Sequence, residues 1–456
     1  MRQIKAVVAA CRKMRYPQMH KDGSQTVPRI PSTRPLQLPA NVNTPLPVAG
    51  ETEGATLKRS LTLPLVVLYG LGTTVGAGIY VLIGKVAGLS GFLTPMAFLT
   101  AAAIMAFTVF SFAELAARFP ESAGEAVYVY QGFRIRLLSV LVGLAVAFMG
   151  IVSSGAIIHG FIGYLGQFLE APAHWEIVAV VVVLTALAAW GITESVAVAA
   201  TATIIELGGL LLVIGGAMTR LPEAQIDWSG FFVPGDTAAW SGIFAGALLA
   251  FYAFIGFEDM VNIAEEVKDV RRSLPKAILL TLVITTVLYV VLAMAAVSVV
   301  PLQILAASDA PLALLFQRST GMSPALVSAI ALVAVLNGAL IQIIMAARVL
   351  YGLSKQGWLP QIFGRIHRTR RTPVNATVFV GLTVLAFTLL LPIVTLARIT
   401  SLFMLAIFVL INLALWRVKV RNRDDVTQPC YPIWVPVLGF VASAGFLAGQ
   451  LYVLWP

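Results

Sequence analysis

Charged side chains are scarce in this sequence. Asp, Glu, Lys and Arg make up 11% of the 456 residues, whereas a soluble domain carries about 25%. The mean hydropathy is +0.90, and the apolar residues come in repeated runs of roughly 20, each long enough to cross the ~30 Å hydrocarbon core of a bilayer. The short alternating segments of an outer-membrane barrel are missing. The composition therefore excludes a soluble globular protein and predicts an all-α polytopic membrane protein.

Cysteine and histidine are also rare. The two cysteines, Cys11 and Cys430, lie in different flanking segments, and the four histidines are scattered along the chain. Neither a disulfide framework nor a metal-ligand spacing is recognisable, so we expect no metal site and no cofactor. The loops between the predicted spans are too short to hold a soluble catalytic domain. We therefore expect any chemistry to take place inside the helix bundle, and the protein not to be an enzyme.

Basic residues give the chain a net charge of +10, but their distribution does not indicate nucleic-acid binding. Residues 1–58 contain seven prolines, nine Lys or Arg and three acidic residues, with no sustained helical period. Such a composition is typical of a disordered segment, and we interpret residues 1–58 as a disordered basic cytoplasmic tail. The other basic residues lie between the predicted spans, as expected for loops on the cytoplasmic side of a membrane.

Eleven membrane spans are predicted, and the loop charges orient them. With the N-terminus in the cytoplasm, 27 of the 31 Lys and Arg residues lie on the inner side, as the positive-inside rule requires. The lipid bilayer is therefore an expected partner, and the inner (plasma) membrane of a bacterium the expected location. The approximate spans are 62–85, 94–117, 137–168, 175–192, 196–219, 241–263, 277–300, 323–350, 374–392, 396–416 and 434–455.

The first predicted span contains a cluster of glycines. In LYGLGTTVGAGIYVLIG, residues 68–84, five of the 17 residues are glycine, which weakens helices. One explanation is close helix packing, because Gly72 and Gly76 form a G-x-x-x-G motif. The other is a break in the helix, which is tolerated at membrane depth only where the freed backbone groups line a cavity or are buried in protein. N–H groups freed at such a break attract an anion such as a carboxylate.

The sixth predicted span is interrupted as well. Gly256 is followed closely by Glu258 and Asp259, within an otherwise apolar run. Ionisable side chains at membrane depth are costly and mark functional sites. Spans 1–5 and 6–10 form two halves of five, and an odd number of spans inverts the second half. Two interrupted helices in corresponding positions of inverted halves indicate the binding site of a secondary transporter.

Four segments resemble the amino acid–polyamine–organocation (APC) superfamily of transporters, in the order found there. GTTVGAGIYVL is similar to the family's first-span signature, and ELAARFPESAGEAVYVY to its link between spans two and three. FIGFEDMVNIAEEVKDVRRSLPKAI resembles the sixth span with the loop after it, and NGALIQIIMAARVLYGLSKQGWLP resembles the eighth span. Within the superfamily, the sequences of these segments most resemble bacterial permeases that are similar to cationic amino acid transporters.

The resemblance implies a LeuT-like fold and an activity. We expect a 5+5 inverted repeat with discontinuous helices 1 and 6, which moves a small-molecule amino acid by alternating access. The first repeat would cover residues 59–220, the second residues 241–418, and an additional transmembrane helix residues 430–456.

The candidate substrate-binding residues surround the two interruptions. We expect unwinding at about residues 74–78, where backbone N–H groups of residues 75–78 hold the substrate carboxylate. Backbone carbonyl groups near Ala253, Phe254 and Phe257 accept hydrogen bonds from the substrate ammonium, and the resemblance supports this clamp for a zwitterion. The full candidate set is Thr74, Val75, Gly76, Ala77, Gly78, Ile79, Ser154, Tyr252, Ala253, Phe254, Phe257 and Asn337.

Several candidate side chains have an ordinary structural alternative. Tyr252 and Phe254 are candidates for an aromatic lid over the site, with plain aromatic packing as the alternative. Ser153 and Ser154 on span three, and Asn337 on span eight, are candidates for substrate contact. Polar residues at helix interfaces also hold helices together in membranes, and the sequence leaves both interpretations open.

Glu206, in the middle of span five, is the first candidate for proton coupling. The resemblance places a lysine at this position in many relatives, where it stands in for a sodium ion; here a carboxyl group takes its place. A buried carboxyl group holds its proton more tightly than an exposed one. A neutral or paired glutamate that bridges to span one or eight is the alternative. Glu258 is a second protonatable candidate beside the sixth-span break.

Sodium coupling is disfavoured, because span eight has no Ser or Thr between Ser328 and Ser354, where sodium-coupled relatives carry hydroxyl ligands. The expected function is thus proton-coupled amino acid symport. An exchanger of amino acids or amines without an ion is the alternative, and a channel, which would show a filter or charged rings, is the rival from another class. The sequence determines neither the side chain of the substrate nor the oligomeric state.

Overall fold

The structure is a computed structural model that describes residues 59–121, 124–165, 168, 172–190, 192–220, 231–308, 310–422 and 429–454. The predicted tail, residues 1–58, lies outside the described residues. The described part of the chain is helical, and its fifteen α-helices are α1 Leu63–Thr74, α2 Gly76–Ser90, α3 Thr94–Arg118, α4 Gly124–Phe133, α5 Arg136–Leu165, α6 Ala173–Trp190, α7 Ile192–Met218, α8 Thr237–Ala253, α9 Val270–Val299, α10 Leu302–Ala307, α11 Pro311–Thr320, α12 Ala325–Lys355, α13 Val374–Leu390, α14 Ile393–Arg421 and α15 Trp434–Leu454.

The predicted fold class, an all-α polytopic membrane protein, is confirmed. Ten helical stretches of the described chain are long and apolar enough to cross a membrane. The ninth of the eleven predicted spans corresponds to α13, which is apolar but has only 17 residues, close to the lower limit for spanning the hydrocarbon core. The helices between and beside the spans, α4, α10 and α11, are too short to cross.

Helix α12 forms the centre of the bundle and is the most buried of the candidate spans. It packs most extensively against α5, while α9 packs against α3 and α13 against α6. Outer helices such as α6 instead expose aliphatic side chains, for example Val182 and Val183. Such exposed apolar faces are those that a membrane span presents to lipid.

Two of the spans are interrupted near their middle. The first is divided at Val75, between α1 and α2. The second is divided after α8, where Gly256 adopts φ +126° and a 3₁₀ segment, Phe257–Glu266, continues the span. Long 3₁₀ stretches are uncommon and often mark a functional hinge. Both interruptions were expected from the sequence.

The first interruption is narrower than the sequence suggested. Unwinding over residues 74–78 was expected, but Val75 alone separates the two helices, and its φ of −73° and ψ of −22° are still helical. Residues 76–78 form the first turn of α2. Their N–H groups nevertheless have no acceptor within α2 itself, because the first turn of any helix lacks the preceding carbonyl groups.

The end of the bundle at which α1 begins, here called the α1 end, is held by main-chain and ionic contacts. The N–H of Leu61 donates to the carbonyl of Glu266 at 3.0 Å, and the N–H of Lys268 donates to the carbonyl of Leu61 at 2.8 Å. Arg348 of α12 forms a buried ion pair with Glu266 at 2.9 Å. The start of α1 is thereby joined to the end of the 3₁₀ segment and to α12.

Glu114, at the α1 end of α3, is the carboxylate at the centre of a second buried group of ion pairs. Its carboxylate lies 2.9 Å from Arg118 and 2.6 Å from Lys419, and it also accepts the N–H of Tyr431 at 2.9 Å. These contacts are those of buried interfacial ion pairs. They join α3 to α14 and to the segment before α15.

Glu114→Gln should lower the thermal stability of the protein. The change leaves two buried cations without their carboxylate, and loss of one partner of a buried pair costs about 3–5 kcal/mol. The matched control is Glu265→Gln, because Glu265 pairs with Lys355, whose side chain is 53% exposed, and such pairs contribute about 0–1 kcal/mol. The measurement is the thermal midpoint of the purified protein in detergent. Equal midpoints for the two variants would contradict the assignment.

Candidate functional site

The two interruptions lie against each other. A β-carbon at Gly256 would overlap the carbonyl group of Thr73, and the positive φ at this position also requires glycine. On the other side of the junction, a β-carbon at Gly78 would come within 2.9 Å of the Cα of Ala253. The sequence therefore uses two glycines to bring the breaks of the two spans into main-chain contact.

Tyr289 of α9 connects the two breaks through one hydroxyl group. Its oxygen lies 2.7 Å from the carbonyl oxygen of Thr74 and 2.9 Å from that of Ala253. These carbonyl groups stand at the ends of α1 and α8, where a helix leaves its acceptors without partners. A hydroxyl carries one proton, so the two carbonyl groups share it. The carbonyl of Ala253, expected to face the substrate ammonium, thus already has a partner within the protein.

Two further glycines of the first span, Gly72 and Gly76, have different roles. A β-carbon at Gly72 would lie 2.6 Å from the amide nitrogen of Asn337 and would also overlap the hydroxyl of Thr203. At Gly76 the nearest atom would be the Cα of Gly338, at 4.0 Å. Gly72 therefore serves close packing against α7 and α12, whereas a β-carbon at Gly76 would make only ordinary van der Waals contact with α12. Packing and the interruption of the helix, the two explanations for the cluster, apply at different positions.

The aromatic candidates are divided between packing and the site. The ring of Phe254 lies 5.0 Å from that of Tyr289 and 6.4 Å from that of Phe98, and its side chain is buried. Phe257 packs on α3 and α14, with its ring 5.4 Å from that of Phe112. Both side chains belong to the aromatic core, so the expected lid at Phe254 is replaced by packing. The half-buried Tyr252 interacts with Ser153 of α5.

The other candidate side chains differ in whether their polar atoms already form hydrogen bonds within the protein. Ser154 donates to the carbonyl of Gly150 in its own helix at 2.9 Å. Asn337 donates to the hydroxyl of Thr203 at 3.0 Å, while its carbonyl oxygen has no hydrogen bond within the described chain. Ile79 is fully buried in α2. Of this group, only Asn337 retains an unused polar atom near the first interruption.

Glu206 lies on α7, one turn after Thr203, and is 0% exposed. Asn337 is the polar side chain beside it, and the hydroxyl of Tyr80 donates to its backbone carbonyl at 3.2 Å. Neither carboxyl oxygen has a hydrogen bond of good geometry among the described residues, and no ion pair reaches it there. A buried carboxyl group without a charged or hydrogen-bonded partner is costly to keep in the interior as an ion.

Glu258 and Asp259 bind groups of the protein at the second interruption. Both carboxyl oxygens of Glu258 accept the N–H of Gly256, at 3.0 and 2.9 Å. Asp259 accepts a hydrogen bond from the side chain of Gln342 on α12, so its partner is a polar neighbour and not a basic group. Glu258 thus closes the break locally by satisfying an N–H group that the interruption frees.

Two residues at the site were missed by sequence reasoning. Tyr289 stands alone as a polar side chain in the aliphatic stretch VLYVVLA, and that isolation was the available signal. Gln342 is similarly isolated in ALIQIIM. Their partners lie 215 and 83 residues away along the chain, so neither role follows from local pattern.

Tyr289→Phe should destabilise the protein although the ring and its packing stay. The change removes the hydroxyl donor that two buried carbonyl groups share in the described part of the chain, which costs about 1–3 kcal/mol. The matched control is Tyr69→Phe, because Tyr69 is fully buried but its hydroxyl has no hydrogen bond within the described chain. Thermal midpoints of both purified variants provide the comparison. A Tyr69→Phe loss as large as that of Tyr289→Phe would show that the bridging hydroxyl has no special role.

Comparison with known proteins finds one matching family and several similar transporters. The family described as amino acid permease matches residues 61–455. The chain is 28% identical to the branched-chain amino acid permease BcaP of Bacillus subtilis over 401 residues, 83% of this chain and 84% of that protein. It is 31% identical to the vacuolar cationic amino acid transporter 2 of Arabidopsis thaliana over 409 residues, 83% of this chain but 63% of that one. The methylthioribose transporter of Bacillus subtilis is 25% identical over 431 residues, 89% and 91% of the two chains.

Proposed function

Because the chain belongs to the amino acid permease family of the APC superfamily, we propose that it is a secondary active transporter that couples amino acid uptake to a proton by alternating access. The observation that carries the proposal is the contact between the two interruptions. Main-chain groups of two broken spans meet there in the interior of the bundle, an arrangement that ordinary packing does not require.

The proposed substrate clamp uses opposite ends of the junction. The N–H groups of residues 76–78, at the start of α2, are the proposed partners of the substrate carboxylate, with the space beside Gly76 as its place. Carbonyl groups at the end of α8, at Phe254 and in competition with Tyr289 at Ala253, are the proposed acceptors for the ammonium. Unpaired main-chain dipoles of both signs suit a zwitterion.

Helix packing supports the proposed inverted repeat. The second half of the first span, α2, packs against α8, the first half of the sixth. Span two (α3) packs against span seven (α9), span three (α5) against span eight (α12), and span four (α6) against span nine (α13). Counterparts in the two proposed halves, residues 59–220 and 241–418, are therefore neighbours. We also propose a bacterial inner-membrane location with the α1 end in the cytoplasm, as the distribution of basic residues requires.

Glu206 is the proposed proton-coupling residue. It is buried, lacks a cationic partner among the described residues and lies beside Asn337, which contacts the first span through Gly72. Loss or gain of its proton therefore changes the charge next to the proposed binding site. The relatives' names include branched-chain amino acids, cationic amino acids and methylthioribose, and these three classes define the substrates to test.

Glu206→Gln should abolish accumulation driven by a proton gradient. The protein is reconstituted in proteoliposomes and supplied with radiolabelled amino acids, with and without an inward proton gradient. Wild-type protein should concentrate its substrate only with the gradient, whereas the variant should reach the same level with and without it and still exchange internal for external substrate. Wild-type exchange without any response to the gradient would favour the ion-free exchanger, and unsaturable flux a channel.

Gly76→Leu should impair uptake without loss of folded protein. The leucine side chain fills the space next to the N–H groups proposed for the carboxylate. A hydrogen bond to a charged group contributes about 1.5–3 kcal/mol, so the substrate concentration for half-maximal uptake should rise roughly 10- to 100-fold. Gly208→Leu on α7 is the control, since a β-carbon there meets no atom within 4 Å. Undiminished uptake by the Gly76 variant at normal expression would refute the proposed clamp.

A further inference from the structure

Glu125 is a buried acid outside the membrane spans. It lies on α4, the short helix that connects span two to span three, and is 1% exposed. The side-chain amide of Asn262, in the 3₁₀ segment, donates to one of its carboxyl oxygens at 3.3 Å. The other oxygen has no hydrogen bond within the described chain. Glu125 thus connects the helix α4 to the half of span six that follows the break.

Two further carboxyl groups lie within electrostatic range of Glu125. Glu258 acts on it directly, and Asp259 interacts with both. The other titratable groups that face this cluster are Tyr128 of α4, beside Glu125, and Tyr69 of α1, beside Asp259. Glu121 acts on Tyr128 and not on Glu125 itself. Gln342 of α12 is the uncharged neighbour. Among the described residues, no lysine or arginine acts on Glu125. Arg348, the buried arginine of α12, is paired with Glu266.

Buried oxygen atoms without a hydrogen-bond donor are a second indication that this cluster of side chains binds a proton. One oxygen each of Glu125, Asp259 and Asn262 is buried and accepts no hydrogen bond within the described chain. An unsatisfied buried acceptor costs about 1–3 kcal/mol. In addition, the carboxylates of Glu125, Glu258 and Asp259 repel one another when all three are charged and no cation lies between them. A proton on Glu125 removes one charge and supplies an O–H donor for a neighbouring acceptor.

We propose that Glu125 is a second proton-binding site of the transporter, loaded while α4 is packed against the 3₁₀ segment and emptied to water when the two separate. The inference rests on the proposed proton-coupled transport and adds a site distinct from Glu206. On separation the O–H bond of the carboxyl group breaks, the proton passes to water at the α1 end, and the electron pair stays on the carboxylate.

The direction of the pH effect follows from burial. Burial, with the charge of Glu258 adding to it, raises the pKa of Glu125 from its ordinary 4.5 to about 8, against the lowering effects of hydrogen bonds from its own backbone N–H and from Asn262. The packed form therefore binds the proton more tightly than the separated form. Protonation favours packing fully below pH 4.5; this advantage falls by about tenfold per pH unit as the pH rises towards 8, and no further change is expected above that.

Glu125→Gln tests the site, because glutamine keeps the size of the protonated group but cannot release a proton. The assay is substrate exchange by the full chain in proteoliposomes at equal internal and external pH, from pH 5 to 9. The wild-type rate should rise about 50-fold between pH 6 and pH 8 as separation becomes easier, then level off. The variant should change by less than about twofold over the same range. Glu121→Gln, three residues outside α4, should keep the wild-type profile.

Asn262→Ala provides an independent arm if the glutamine variant does not fold. It removes the hydrogen bond that stabilises the charged form, so the midpoint of the wild-type profile should move to higher pH. A merely structural role for Asn262 would change the rate but leave the midpoint in place. If wild-type protein is driven by a proton gradient and neither variant alters the profile, the inference about Glu125 is wrong and the proposed function stands. If the gradient has no effect on wild-type protein, the proposed function itself fails.

Discussion

The structure depends on how polar main-chain groups are accommodated in the middle of a membrane span. A break in a helix frees N–H and C=O groups that lipid cannot satisfy. Here the two breaks face each other, and the protein provides partners for part of what they free. The hydroxyl of Tyr289 is shared by the carbonyl groups of Thr74 and Ala253, and the carboxylate of Glu258 accepts the N–H of Gly256. The groups left unpaired at the junction form the proposed binding site for a ligand that carries both charges.

The sequence predicted the existence of both breaks but not their form. Glycine in an apolar run and acids after Gly256 are local signals, and local signals located the interruptions correctly. The width of the first break was overestimated, because Val75 alone separates the two helices and keeps helical angles. The pairing of Gly256 with Thr73, and the roles of Tyr289 and Gln342, depend on contacts between distant parts of the chain. No window of sequence contains both partners of such contacts.

Buried carboxyl groups in this protein fall into two kinds that composition cannot separate. Glu114 and Glu266 have cationic partners and hold helices together. Glu206 and Glu125 have none within the described chain, and each retains at least one oxygen without a donor. The first kind is part of the ionic contacts that hold the scaffold together. The second kind is costly to keep in the interior as a carboxylate. We propose that its charge changes as the surrounding helices open and close.

The joint between Leu61 and Val267 has a mechanical consequence. Both of its hydrogen bonds are made by main-chain atoms, so replacement of most side chains there leaves the bonds in place. Proline is the exception, since it lacks the N–H that residues 61 and 268 each donate. The start of span one and the end of span six are therefore joined through their backbones, and we expect these two segments to move together. The identity of the side chains at this joint is therefore weakly constrained, because main-chain atoms alone form the connection.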